Sequence, residues 1–142
     1  SAIAYHFARE LRDSLQIPVG IVVNAIGGSP TEAWIDRATL EQELPAILRQ
    51  WRKNDFIMPW VRERAGQNLQ ARDTPLARHP YAPTYLYDTG IRPLSSYTFR
   101  GAIWYQGESN AHNIEAHQQL FPLLVKSWRK TFGATLPFYY VH

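Results

Sequence analysis

Apolar residues at Ile3, Phe7, Leu11 and Leu15 recur every fourth position, which predicts an amphipathic helix over residues 1–15. Ile17-Pro18 closes it, because the Pro18 ring disfavours helical geometry at the residue before it. The pattern then changes. VGIVVNAI, residues 19–26, is a nearly continuous β-branched run, as expected of a parallel strand covered on both faces. Gly27-Gly28-Ser29-Pro30 breaks it. A helical pattern resumes at Asp36 with Leu40, Leu44, Leu48 and Trp51, and Pro45 splits or kinks it. Residues 52–83 are polar and irregular, punctuated by Pro59, Gly66, Pro75, Pro80 and Pro83. They read as an excursion holding a short helix from Met58 to Leu69 and then loop. Residues 84–98 read mostly as loop.

Residues 99–105 predict a second core strand. A helix from about 114 to 131 follows, with Leu120, Phe121, Leu124, Val125, Trp128 and Phe132 facing inward, and Gly133 caps its end. A third strand starts at Leu136 and runs to His142. Helices alternating with buried strands define an α/β protein with a parallel sheet. The chain begins on a helix with no strand before it and stops inside its last strand. Residues 1–142 are therefore expected to be one partial domain, incomplete at both ends.

Composition narrows the function classes. The 142 residues suit about one domain, and 45% hydrophobic content with 19% charged residues is globular. A chain of this size buries roughly 68–70% of its unfolded surface, enough for a core. The net charge is +3, with only a mild basic concentration between Arg49 and Arg78, so a phosphate-tracking stripe is missing and nucleic acid is a poor partner. Absence of cysteine excludes disulfides and thiolate metal sites. No stretch approaches the ~20 apolar residues of a membrane span. The chain shows no signal-peptide pattern and starts at Ser1 rather than Met, which predicts a processed or trimmed start.

Two segments carry candidate chemistry, each just after a strand, where open α/β sheets place their ligands. The first is AIGGSPTEAW, residues 25–34. Its glycines either serve a tight turn or bring backbone N–H groups close to a ligand. Neither GxGxxG nor GxxxxGK[ST] is present, which argues against a nucleotide-binding domain. The second is WYQGESN, residues 104–110. It reads either as a polar loop whose Ser109 or Asn110 caps the next helix, or as a set of amide donors, a carboxylate and a hydroxyl. A serine nucleophile needs a base, and His6, His79, His112, His117 and His142 have no recognisable companion acid. No histidine pair has metal spacing with a third ligand, so neither metal nor cofactor is expected.

Together the two motifs resemble the sialate O-acetylesterase and acetylxylan esterase group of SGNH (GDSL-type) hydrolases. The matching stretches are SAIAYHFARELRDSLQIPVGIVVNAIGGSPTEAWI at 1–35, LYDTGIRPLSSYTFRGAIWYQGESNAHN at 86–113 and SWRKTFGATLPFYYV at 127–141. The resemblance implies a three-layer αβα fold of flavodoxin-like topology. It implies a carbohydrate esterase that removes O-acetyl groups from sialate- or xylan-type sugars by serine-based acyl transfer, in a periplasmic or secreted protein. It maps Gly27 or Gly28 to a backbone oxyanion donor, Gln106 or Asn110 to a side-chain donor, and Glu108 to a carboxylate supporting the catalytic histidine. Trp34, Tyr105 and Glu32 become candidates for contact with the O-acetylated carbohydrate. The family's nucleophilic serine motif maps upstream of Ser1, and its Asp-x-x-His segment maps beyond the last residue. Ser109 is then not the nucleophile, and the isolated chain is expected to be inactive. The rival reading is a non-catalytic carbohydrate-binding or scaffold module of the same fold.

Overall fold

Fourteen residues, Ala2–Leu15, form helix α1. The structure, a computed structural model, describes residues 2–70 and 77–141; Ser1, Pro75 and His142 of the expectations above lie outside them. Helix α2, Arg37–Glu43, starts at Asp36, whose carboxylate accepts from the Thr39 N–H and satisfies a donor that has no partner inside the helix. It stops at Leu44, and Pro45–Leu48 continues as a 3₁₀ turn, the split that Pro45 predicts. Helix α3, Pro59–Gln70, lies within the irregular excursion. Residues 84–98 are not featureless: Tyr87–Ile91 makes a π-helical turn and Arg92–Leu94 a 3₁₀ turn. Helix α4 runs Ile114–Phe132.

Strands β1, Ala102–Trp104, and β2, Phe138–Tyr140, pair in parallel with Ala102 opposite Phe138 and Trp104 opposite Tyr140. The chain is thus a mixed helical protein with a small parallel two-stranded sheet, compatible with an α/β class. The strand expected over 19–26 does not form. Those residues run without a ladder, and Ile21, Val22, Val23 and Ile26 stay 44–57% exposed. A β-branched run is stable as a strand only where a neighbour satisfies its N–H and C=O groups. Among the described residues none pairs with it. Helix α1 forms as its spacing requires, yet only Ala8 on it is buried.

The main core sits between α4, α2 and the Thr31–Trp34 turn. Ala116, Leu120, Leu124 and Ser127 mark the buried face of α4. Leu120 and Leu124 are fully buried with Ile35, Leu40 and Ile47, each worth about 1.5–3 kcal/mol relative to exposure. Trp104 stands edge-to-face with both Trp34 and Trp128, at centroid distances of 6.1 and 5.8 Å. The Ser127 hydroxyl accepts from the Asp36 N–H at 2.9 Å, so α4 also fixes the start of α2. A smaller cluster of Ile57, Val61, Ala65 and Tyr81 holds the excursion together.

Candidate active site

Past Ile26 the chain turns on Gly27-Gly28. Gly28 has φ +74°, a left-handed conformation that glycine adopts without steric cost. The turn is locked from behind, where the Ser29 N–H and hydroxyl both donate to the Ile26 carbonyl, at 3.2 and 2.8 Å. The Trp34 indole N–H then donates to the Ser29 hydroxyl at 2.9 Å. Residues 29–36 are all buried.

The second loop follows β1. Gln106 Nε2 donates to the Ser29 carbonyl at 2.8 Å, and Gln106 Oε1 faces the Thr31 hydroxyl at 2.8 Å. Asn110 Oδ1 accepts from the Thr31 N–H at 2.9 Å, while its Nδ2 donates to Glu32 Oε2 at 2.9 Å. The Ser109 hydroxyl donates to the Gly28 carbonyl at 2.9 Å. These contacts, across some eighty positions, stitch the double-glycine turn to the glutamine loop. The cap of α4 is Asn113, which accepts from the Ala116 N–H at 2.9 Å. Asn113 thus takes the capping role that one of the two readings gave to Ser109 or Asn110, whose polar groups join the stitching instead.

The expected site residues fall into two groups. Gly27, Gly28, Gln106 and Asn110 come together, with Glu32 beneath them. Glu32 is fully enclosed, with no surface through which to meet a sugar. Trp34 is 3% exposed and belongs to the core, whereas Tyr105 is 62% exposed beside the loop. Glu108 is exposed and accepts from the Gly107 N–H at 3.2 Å. The donor inventory is informative. One Gln106 Nε2 hydrogen goes to Ser29 and the other lies toward Asn110 Oδ1 at 3.3 Å, while Asn110 is 1% exposed. Among the described residues nothing accepts from the Gly27 or Gly28 N–H. The amides thus hold the loops together.

Two aromatic residues of the excursion roof the turn, a role that proline-rich irregularity does not signal. The Tyr81 hydroxyl donates to the Gly27 carbonyl at 2.9 Å, and the Trp60 ring lies against Gly28. A β-carbon at Gly28 would stand 2.8 Å from Tyr81 Oη and 2.9 Å from the Trp60 ring. Gly28→Ala is accordingly expected to destabilise the chain by about 1–3 kcal/mol, through left-handed backbone strain and crowding, as read by urea unfolding. His117, on α4, lies near the same loop: its Nε2 would be 3.8 Å from a β-carbon at Gly107. Burial lowers its pKa below the ordinary 6.5, which favours the neutral ring. Glu32 moves the other way. Burial raises its carboxyl from 4.5 to about 7, against the opposing pull of its own backbone N–H and the Asn110 amide.

These features make a mixed helical protein, compatible with an α/β class, with a polar cluster beyond the carboxyl end of a parallel strand and a buried carboxyl beneath it. No family model matches the chain. It is similar to curated proteins named sialate O-acetylesterase. That of Mus musculus is 35% identical and that of Rattus norvegicus 32%, each over 93% of this chain and 26% of the relative. The Homo sapiens protein of the same name is 30% identical over 93% of this chain and 21% of its own length. The chain therefore spans about a quarter of the length of the curated relatives it matches. These homologues support the resemblance at the level of that family.

Proposed function

We propose that this chain forms the oxyanion-binding part of a carbohydrate O-acetylesterase that works by serine-type acyl transfer. The single observation that supports it best is the convergence of the Gly27-Gly28 turn and the Gln106–Asn110 loop, through the Ser109 and Gln106 hydrogen bonds. In this reading the acetyl carbonyl sits over the turn. As a nucleophile attacks, negative charge builds on the carbonyl oxygen, and the fixed Gly27 and Gly28 N–H groups stabilise it. Each such donor is worth about 3–4 kcal/mol of barrier. Gln106 and Asn110 position the turn rather than contact the oxyanion. Glu108, exposed at the rim, is available to support a histidine, and Tyr105 and Trp60 offer exposed ring surface to a sugar. Sialate esters are the substrate class suggested by the relatives' name. The wider fold is a three-layer SGNH-type sheet that the residue 19–26 run joins as a strand.

The nucleophile and its histidine come from polypeptide outside residues 1–142. Ser109 is not the nucleophile in this reading, because it is 3% exposed and its hydroxyl hydrogen is committed to the Gly28 carbonyl. The test is hydrolysis of p-nitrophenyl acetate and of an O-acetylated sialic acid, by the chain alone and by a longer polypeptide carrying it. The chain alone should be inactive and the longer polypeptide active. There, Ser109→Ala should lower kcat less than tenfold. A loss on the order of a millionfold, the scale of a missing nucleophile, would instead make Ser109 the attacking group. Binding of acetylated sugar without any turnover would point to a non-catalytic module.

A further inference from the structure

Glu32 is an unusual floor for a donor site. It is fully buried; Oε2 accepts from Asn110 Nδ2 at 2.9 Å, and among the described residues Oε1 has no hydrogen-bond partner. The Asn110 amide it clasps is the hub of the stitching, because Asn110 Oδ1 receives the Thr31 N–H and faces Gln106 Nε2, which in turn holds the Ser29 carbonyl next to Gly28.

The elements around Glu32 bring charged groups, but these are engaged elsewhere. On α4, Lys126 pairs with Glu43, Lys130 with Asp36, and Arg129 donates to the Leu136 carbonyl. His117 lies near the loop with its pKa lowered by burial, and Glu115 is exposed. Glu108 bonds the Gly107 N–H. Across the Tyr87–Ile91 turn, Asp88 pairs with Arg78 and Arg92. Arg78 comes nearest through bonds: it donates to the Thr84 hydroxyl, and the Thr84 N–H donates to the Glu32 backbone carbonyl. The influences on the Glu32 carboxyl are burial, its own N–H and Asn110, and none is a neighbouring charge.

We propose that Glu32 is a positioning residue: its un-ionised carboxyl latches Asn110, and through it the two donor loops, so that ionisation loosens the Gly27-Gly28 donors. The inference rests on the esterase reading above. An ionised Glu32 would draw the Asn110 amide more strongly, but that bond and its own N–H do not offset the loss of hydration in a dry interior, and parting the loops is the way to hydrate the charge. The upward shift of its titration to about 7 agrees with an acid that is neutral below that pH and charged above it.

NMR of the chain tests the latch without any turnover. The Glu32 carboxyl carbon should titrate with a midpoint near 7. The Asn110 and Gln106 side-chain amides and the Gly27 and Gly28 N–H resonances should move at that same midpoint, and these movements should vanish in Glu32→Gln. A Glu32 midpoint at the ordinary 4.5, or amides that stay still across its titration, overturns the proposal. In an esterase-active longer polypeptide, Glu32→Gln keeps the neutral shape and should hold kcat at pH 6 within about twofold. It should also relieve an alkaline fall in kcat seen in the unsubstituted protein. Glu32→Ala should lose tenfold or more. A Gln variant as impaired as the Ala variant overturns the latch while leaving the esterase reading intact. Absence of hydrolysis by the unsubstituted protein overturns the esterase reading, and the NMR titration then still decides whether the latch exists.

Discussion

Asn110→Asp, a change of one side-chain NH₂ for an oxygen, is expected to cost about 3–5 kcal/mol of folding stability at pH 8. The native amide spans two loops: its oxygen takes the Thr31 N–H and its nitrogen donates to Glu32. An aspartate keeps the first contact and reverses the second. Two carboxyls would then face each other at about the present 2.9 Å, in a place where Asn110 is 1% exposed and Glu32 has no exposure. They cannot both ionise there, so one must hold a proton far above its usual range. At pH 5 one shared proton is easily supplied and the loss should be smaller. Urea unfolding at the two pH values checks this. A loss that does not change with pH would mean that the Asn110–Glu32 contact is not the seat of the effect.

The same contact shows which parts of this protein a sequence can disclose. Helix α4 was readable because Leu120, Leu124 and their neighbours repeat at helical spacing and Gly133 ends the pattern. The break at Leu44 was readable because proline cannot continue the helix before it. These are local rules acting on neighbouring residues. Residues 19–26 failed the same treatment. A β-branched run reports a preference for cover and for ladder partners, but not whether a partner strand is present, and here Val22 and Val23 are more than half exposed. Helix α1 teaches the same lesson, since Ile3, Phe7 and Leu15 form the predicted stripe yet remain exposed. Periodicity identifies a face and leaves open what covers it.

At the site, a glycine pair and clustered amides mark the two loops in the sequence, and the fold brings those loops together. Their partners are not marked in this way. The resemblance makes Glu32 a candidate for substrate contact; the fold encloses it instead, and among the described residues Asn110 bonds one of its oxygens and nothing the other. Thr31 was within the quoted motif, but nothing local marks its N–H and hydroxyl as the link to Gln106 and Asn110. Tyr81 and Trp60 reach Gly27 and Gly28 from an excursion whose local pattern signals only irregularity. Contacts between loops some fifty to eighty positions apart are decided by tertiary closure.

The contribution of Glu32 to stability should fall as pH rises through its titration, the reverse of most carboxyl effects. In the unfolded chain Glu32 releases its proton near 4.5, and in the fold it holds it to about 7. Between those values the folded state binds more protons, so raising the pH favours unfolding; above 7 both states are ionised and the effect is complete. The size is roughly 3 kcal/mol by linkage. Other groups pull differently. Burial alone would raise Asp36, but bonds from Thr39 and Ser127 and the Lys130 charge bring it below 3.8, so its contribution is lost only as pH falls beneath that value. His117, its pKa lowered by burial, costs stability as pH falls below 6.5, which opposes Glu32 within part of the same window. The total curve therefore mixes signs, and the informative quantity is the difference between the native chain and Glu32→Gln. Measured by urea unfolding at pH 4, 6 and 8, that difference should shift in favour of the glutamine variant by roughly 3 kcal/mol across the range. Parallel curves would mean that Glu32 is solvated and ordinary, and that the two loops are held by their amides alone.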